Sequence, residues 1–132
     1  MVEARQLRPV ERFPTRLRAL IVTEDERLGG TLARVLERRG ALRVKKTTPA
    51  VAIAQARIEG VDVVLLDLAA GVAFDCELSA RLGEYAPVIL LCSYLTQGER
   101  ERVRASGVAA IHLKHIGVED LRRRIHTVCG TA

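Results

Sequence analysis

"VDVVLLDLAA", residues 61–70, is the stretch that decides the fold. From Val63 to Leu66 it is continuously apolar, which suits a strand covered on both faces in the middle of a parallel sheet. The run then ends on Asp67, placing a carboxylate where a buried strand gives way to a loop.

Working outward, the neighbouring segments alternate between strand and helix. Upstream, "RALIVT" (18–23) reads as a buried strand, and "LGGTLARVLERRG" (28–40) sets Leu28, Leu32, Val35 and Leu36 on one helical face with Gly40 as the stop. "ALRVKKT" (41–47) alternates like a half-exposed edge strand. Thr48-Pro49 predicts a cap and first helical position for a helix from Val51 to Glu59, ended by Gly60. Downstream, Phe74, Leu78 and Leu82 predict a short helix, and Pro87 introduces a buried strand, "VILLC" (88–92). Residues 98–106 form a charged helix held mainly by Val103, and "GVAAIHLK" (107–114) is a fifth strand. Val118, Leu121, Ile125 and Val128 line a closing helix with Glu119 and Asp120 in its first turn, Arg122–Arg124 beyond, and Gly130 as the stop. Such β-α alternation predicts an α/β domain, a parallel sheet with right-handed crossovers and helices on both faces. Residues 1–17, with Pro9 and Pro14 and no sustained period, read as a basic extension ahead of a domain spanning 18–132.

Composition narrows the function. With 48% apolar residues but only two Phe, two Tyr and no Trp, the core must be aliphatic, and the aromatic platforms of a single-strand nucleic-acid binder are missing. The net charge of +5 comes from the ends: residues 1–18 hold five Arg against two Glu, residues 19–97 nine basic against ten acidic, and residues 98–132 seven basic against four acidic. Solvated charge accounts for both ends, and no direct nucleic-acid binding is expected. Cys76, Cys92 and Cys129 are far apart and form no CxxC pair, as reduced thiols of a cytoplasmic protein would be. No secretory h-region and no apolar run of about 18 residues is present, so neither export nor membrane insertion is expected.

In a doubly wound sheet, ligands sit outside the carboxyl ends of the strands. Those ends carry Thr23-Glu24-Asp25, Asp67, Cys92-Ser93 and Lys114. With the first and third strands adjacent, Glu24, Asp25 and Asp67 converge on one cleft, where like charges call for a cation. All-oxygen ligands with room for water suit Mg²⁺. A carboxylate there, with Lys114 reaching in, can attack a phosphoryl group and hold it as an aspartyl phosphate. Each piece alone has an ordinary explanation: a turn residue in Asp67, a helix-dipole pair in Glu24-Asp25, a surface lysine in Lys114.

Over about residues 18–130 these segments resemble the receiver domain of two-component response regulators. "ALIVTEDERL" looks like the family's first strand and acidic cluster, "VDVVLLDL" like its acceptor strand, "PVILLCSY" like its fourth and "GVAAIHLK" like its fifth. The resemblance implies a flavodoxin-like three-layer sandwich, a five-stranded parallel sheet of order 2-1-3-4-5 with five helices. It also implies phosphorylation on Asp67, metal ligation by Glu24, Asp67 and the carbonyl of Ala69, and phosphate pairing by Lys114. A histidine kinase or phosphotransfer protein would be the partner. The chain departs from the pattern at Thr23, which takes the first acidic position and leaves Glu24 with Asp25 one place later. Ala70-Gly71 and Asp75 replace the usual Met-Pro and glycine, and His115 replaces a proline. Cys92, beside Ser93, takes the switch hydroxyl's place, and Ile111 the aromatic's.

Three functions compete. The first is a phosphorylatable receiver with a weak Mg²⁺ site; the second is an atypical receiver acting as a phosphorylation-independent interaction or dimerisation module. The third, a small α/β enzyme or nucleotide binder, has no GxGxxG after the first strand, no GxxxxGK[ST], no GxSxG and no paired histidines at ligand spacing. A non-enzymatic module is therefore expected, with His112, His115 and His126 as ordinary surface or edge residues. The mixed charges of residues 98–129, Arg122 included, suit a homodimer contact. No DNA-binding domain is expected within these residues.

Overall fold

The computed structural model describes residues 16–38 and 42–130. Nearly all of the basic extension, and the helix stop assigned to Gly40, lie outside them. In chain order the strands are β1 (Leu17–Val22), β2 (Leu42–Thr47), β3 (Val63–Asp67), β4 (Val88–Cys92) and β5 (Ala110–Leu113). The helices are α1 (Glu26–Glu37), α2 (Ala52–Glu59), α3 (Cys76–Leu82), α4 (Gln97–Ala105) and α5 (Val118–Val128). The sheet is parallel throughout, in the order β2-β1-β3-β4-β5.

β3 is central because both of its faces are buried. Val64 and Leu66 pack into one core with Ala52 and Ala56 of α2, Leu82 of α3 and Val103 of α4. Val63 and Leu65 point the other way, to Leu36 of α1 and to Leu121 and Ile125 of α5. The alternation of side chains along one apolar run thus feeds two cores, one on each side of the sheet. β2 sits at an edge with residues alternating towards solvent. No helix among the described residues is long and apolar enough to cross a membrane.

Several local expectations need correction. Phe74 is buried but precedes α3, whose N-cap is Asp75, accepting from the Leu78 amide at 2.9 Å. Thr48 makes no side-chain cap; a short 3₁₀ turn, Pro49–Val51, leads into α2 instead. α1 begins at Glu26, because the Asp25 carboxylate caps it through the Leu28 amide at 3.0 Å. α4 opens with a capping box: Glu99 N–H donates to the Thr96 hydroxyl at 3.1 Å and Thr96 N–H to the Glu99 carboxylate at 2.8 Å. Backbone and hydroxyl donation hold the Glu99 carboxyl below its ordinary pKa.

Two charged or polar side chains assigned to the surface are inside. Arg122 is buried, with its guanidinium donating to the carbonyls of Val35 (2.9 Å) and Leu36 (3.0 Å) at the end of α1 and to Glu119 at 2.8 Å. It ties α5 to α1 and leaves the partner surface. His112 is likewise buried, on the α1–α5 side of β5, with Nε2 3.2 Å from the Ile116 carbonyl and Nδ1 without a partner. Burial pushes its pKa down.

Candidate functional site

β1 and β3 run in register with Val22 opposite Leu66, so the next residues, Thr23 and Asp67, emerge side by side at the carboxyl edge. Thr23 is buried and anchored by its N–H to the Thr47 carbonyl at 3.0 Å. Its hydroxyl donates to Asp67 Oδ2 at 2.7 Å and accepts the Asp25 N–H at 2.9 Å. From the other side comes Lys114, whose backbone continues the β5 ladder onto the Cys92 carbonyl at 2.8 Å. Its Nζ lies 2.5 Å from Asp67 Oδ1 and donates to the Leu68 carbonyl at 3.2 Å.

The Asp67 side chain is 4% exposed and that of Lys114 26%. A buried carboxylate needs such a partner, since desolvation is otherwise unfavourable for the charge. Asp67 Oδ1 is itself fully buried and faces the ammonium at 2.5 Å without a well-aligned hydrogen bond. The separation establishes an ion pair that covers Oδ1 with the lysine ammonium.

The remaining sequence candidates make no side-chain hydrogen bond or ion pair to Asp67 among the described residues. Glu24 is exposed and makes no hydrogen bond or ion pair with Asp67, while Asp25 is engaged at the α1 cap. The Ala69 carbonyl accepts the Val72 N–H at 3.1 Å, closing a turn in which Gly71 takes φ 79°. Cys92 is buried at the end of β4, and burial raises its thiol pKa. Ser93 is exposed, and neither it nor Cys92 hydrogen-bonds to Asp67 among the described residues. Both line a cavity of about 520 Å³ with Ala69, Val72, Tyr94 and Glu99. Ile111 is half-buried against the core shared by α2, α3 and α4.

Among the described residues no group of three or more His, Cys, Asp or Glu side chains is placed to hold a metal. The oxygen donors the sequence offers for Mg²⁺ are the Asp67 and Glu24 carboxylates and the Ala69 carbonyl. Their chemistry fits a hard cation that keeps most of its water. The positive Lys114 and the uncharged Thr23 make that fit a weak one. Sequence reasoning had placed Thr23 at the acidic position but missed its bond to Asp67. The signal was the strand pairing itself, which sets residue 23 against residue 67.

No family model and no curated protein matches this sequence. The fold, however, is that of response-regulator receiver domains. The receiver domain of the putative response regulator NarL from Mycobacterium tuberculosis superposes with a TM-score of 0.78 at 17% identity, covering 90% of this chain and 100% of that one. The Vibrio cholerae chemotaxis protein CheY4 gives 0.76 at 18% identity, covering 86% and 99%. The receiver domain of a modulated diguanylate cyclase from Desulfovibrio desulfuricans gives 0.73 at 23%, covering 88% and 95%.

Proposed function

We propose that this chain is a receiver-type module of two-component signalling, non-enzymatic and cytoplasmic, that accepts a phosphoryl group on Asp67 from a histidine kinase or phosphotransfer protein. The observation that carries the reading is the Lys114 ammonium 2.5 Å from Asp67 Oδ1 at the carboxyl edge of the sheet. In the transfer, a carboxylate oxygen of Asp67 forms a bond to phosphorus as the phosphorus–nitrogen bond of the donor phosphohistidine breaks, and the imidazole leaves with a proton from solvent. Lys114 neutralises charge on the phosphoryl oxygens. Glu24, Asp67 and the Ala69 carbonyl would hold Mg²⁺, which would supply further charge compensation when bound. Incubation with acetyl phosphate and Mg²⁺ should add one phosphoryl group by intact mass, and Asp67→Asn should abolish the addition. An unmodified wild-type chain would reject the reading.

The Thr23 hydroxyl on Asp67 Oδ2 favours a second reading, in which a pinned and neutralised Asp67 is structural and the module signals by protein contact alone. In either case we place the partner or homodimer contact on α4, β5 and α5, within residues 98–129. There exposed Arg102, Arg104 and Arg123 alternate with Glu101 and Asp120.

A further inference from the structure

We infer that Thr23 couples the state of Asp67 to the start of α1, so that the β1–α1 turn reads the acceptor. This rests on the proposal that Asp67 is the residue whose state changes. The device is a continuous chain of donors: Asp25 N–H to Thr23 Oγ1 at 2.9 Å, then the Thr23 hydroxyl to Asp67 Oδ2 at 2.7 Å. A hydroxyl suits this position because one oxygen both accepts and donates. A carboxylate there could take the Asp25 N–H but could not donate to Asp67.

The chain ends in a helix terminus. Asp25, whose N–H is the first donor, also caps α1 through the Leu28 amide at 3.0 Å. A Cβ built on Gly29 would lie 3.1 Å from the Thr23 methyl, so the first turn of α1 packs directly on this side chain. Turning the Thr23 hydroxyl away would therefore release the Asp25 N–H at the residue that caps α1.

Modification of Asp67 changes what Thr23 bonds to. When Lys114 moves from Oδ1 to the incoming phosphoryl oxygens and Oδ1 forms the bond to phosphorus as the donor's bond to phosphorus breaks, Oδ2 changes from a carboxylate oxygen to the carbonyl oxygen of an acyl phosphate. A charge-assisted hydrogen bond is roughly twice as strong as a neutral one, so the Thr23 bond weakens and its polarising effect on the Asp25 bond falls. Bonding through Oδ2 instead would displace the hydroxyl outright. Both routes loosen the same turn.

A double-mutant cycle on the isotope-labelled chain tests the coupling without any phosphodonor. Asp67→Ala should speed amide exchange at Asp25 and Leu28 by roughly two- to tenfold, the range spanned by the net worth of a hydrogen bond. In a Thr23→Val background the same Asp67→Ala change should leave those amides unmoved, whereas a Thr23→Ser background should restore the response. Asp67→Asn, whose side-chain carbonyl still accepts from the hydroxyl, should give a smaller change and serves if the Ala variant is too unstable. Equal responses in the Thr23→Val and wild-type backgrounds would overturn the inference, as would shifts confined to residues 92–106. Acetyl phosphate labelling of the wild-type chain separates the two ideas. Coupling without labelling refutes the acceptor reading alone; labelling without coupling refutes the role of Thr23.

Discussion

Arg122→Ala should be far more damaging than its place in a run of three arginines suggests. The guanidinium donates to two carbonyls at the end of α1, those of Val35 and Leu36. Val35 retains the Arg38 N–H at 3.3 Å, while truncation removes the guanidinium donor from both carbonyls. An orphaned buried acceptor costs about 1–3 kcal/mol, and the buried arginine stem loses packing besides. The expected total is roughly 3 kcal/mol, a fall of about 2 M in the urea midpoint for an m-value of about 1.5 kcal/mol/M. Arg123→Ala is the control, since Arg123 is exposed and pairs with Asp120, and its effect should stay within about 0.5 kcal/mol. Arg122→Lys should fall between them, because one ammonium cannot reproduce the fork that spans both carbonyls. Equal midpoints for Arg122→Ala and Arg123→Ala, at unchanged m, would refute the claim that Arg122 joins α5 to α1.

The buried His112 makes stability pH-dependent. Its folded pKa lies below the ordinary 6.5 because burial disfavours the charged ring, with Arg124 and His115 acting in the same direction and Asp120 and the Ile116 carbonyl opposing. The folded state binds fewer protons than the unfolded one, so this contribution is fully present above about pH 6.5 and is lost as pH falls towards the depressed value. His112→Phe should flatten that part of a urea-midpoint profile, and an unchanged slope would count against it. For the proposed partner face, Arg102→Glu should shift the monomer–dimer balance in sedimentation at low salt without altering the urea midpoint; a chain monomeric at all concentrations tested removes the homodimer.

The strands were readable because buried parallel strands leave unbroken apolar runs, and none is clearer than Val63–Leu66 beneath Asp67; their order, β2-β1-β3-β4-β5, followed from the resemblance to receiver domains and not from the runs. The cleft was readable for a related reason: residues that follow strands in a parallel sheet must meet at one edge, which brought Thr23, Asp67 and Lys114 into one short list. Hydrogen-bond partners were harder to see, since a threonine after a strand carries no mark of whether its hydroxyl faces a carboxylate or water. The charge of Arg122 points to solvent, but its position points inward. It stands four residues after Val118 and beside Leu121, on the margin of the apolar stripe that meets α1. His112 stands two residues from Ala110, and in a strand that spacing puts both on one face, here the face packed on α5. The Thr96-to-Glu99 capping box was a plain sequence signal left unread.

The two flanks of the cleft are unequally equipped to respond to Asp67, and the inequality follows from side-chain chemistry. On the β4 side, Cys92 is a thiol whose ionisation burial opposes and whose S–H is a poor donor, and Ser93 beside it is exposed. Ile111, packed against the core, has no polar tip to bring inward. α4 buries only Val103, so its position is cheap to change, but no hydrogen bond among the described residues connects that freedom to Asp67. On the β1 side the connection exists and the element is stiff: the Thr23 hydroxyl reaches from the carboxylate to the cap of α1, and α1 is held in turn by Arg122. On the proposed coupling, a small change at Asp67 would pass where packing is firm, into the α1 turn, while α4 would be left to be set by a partner. On this physical reading, phosphorylation and partner binding would act on different helices of the same domain.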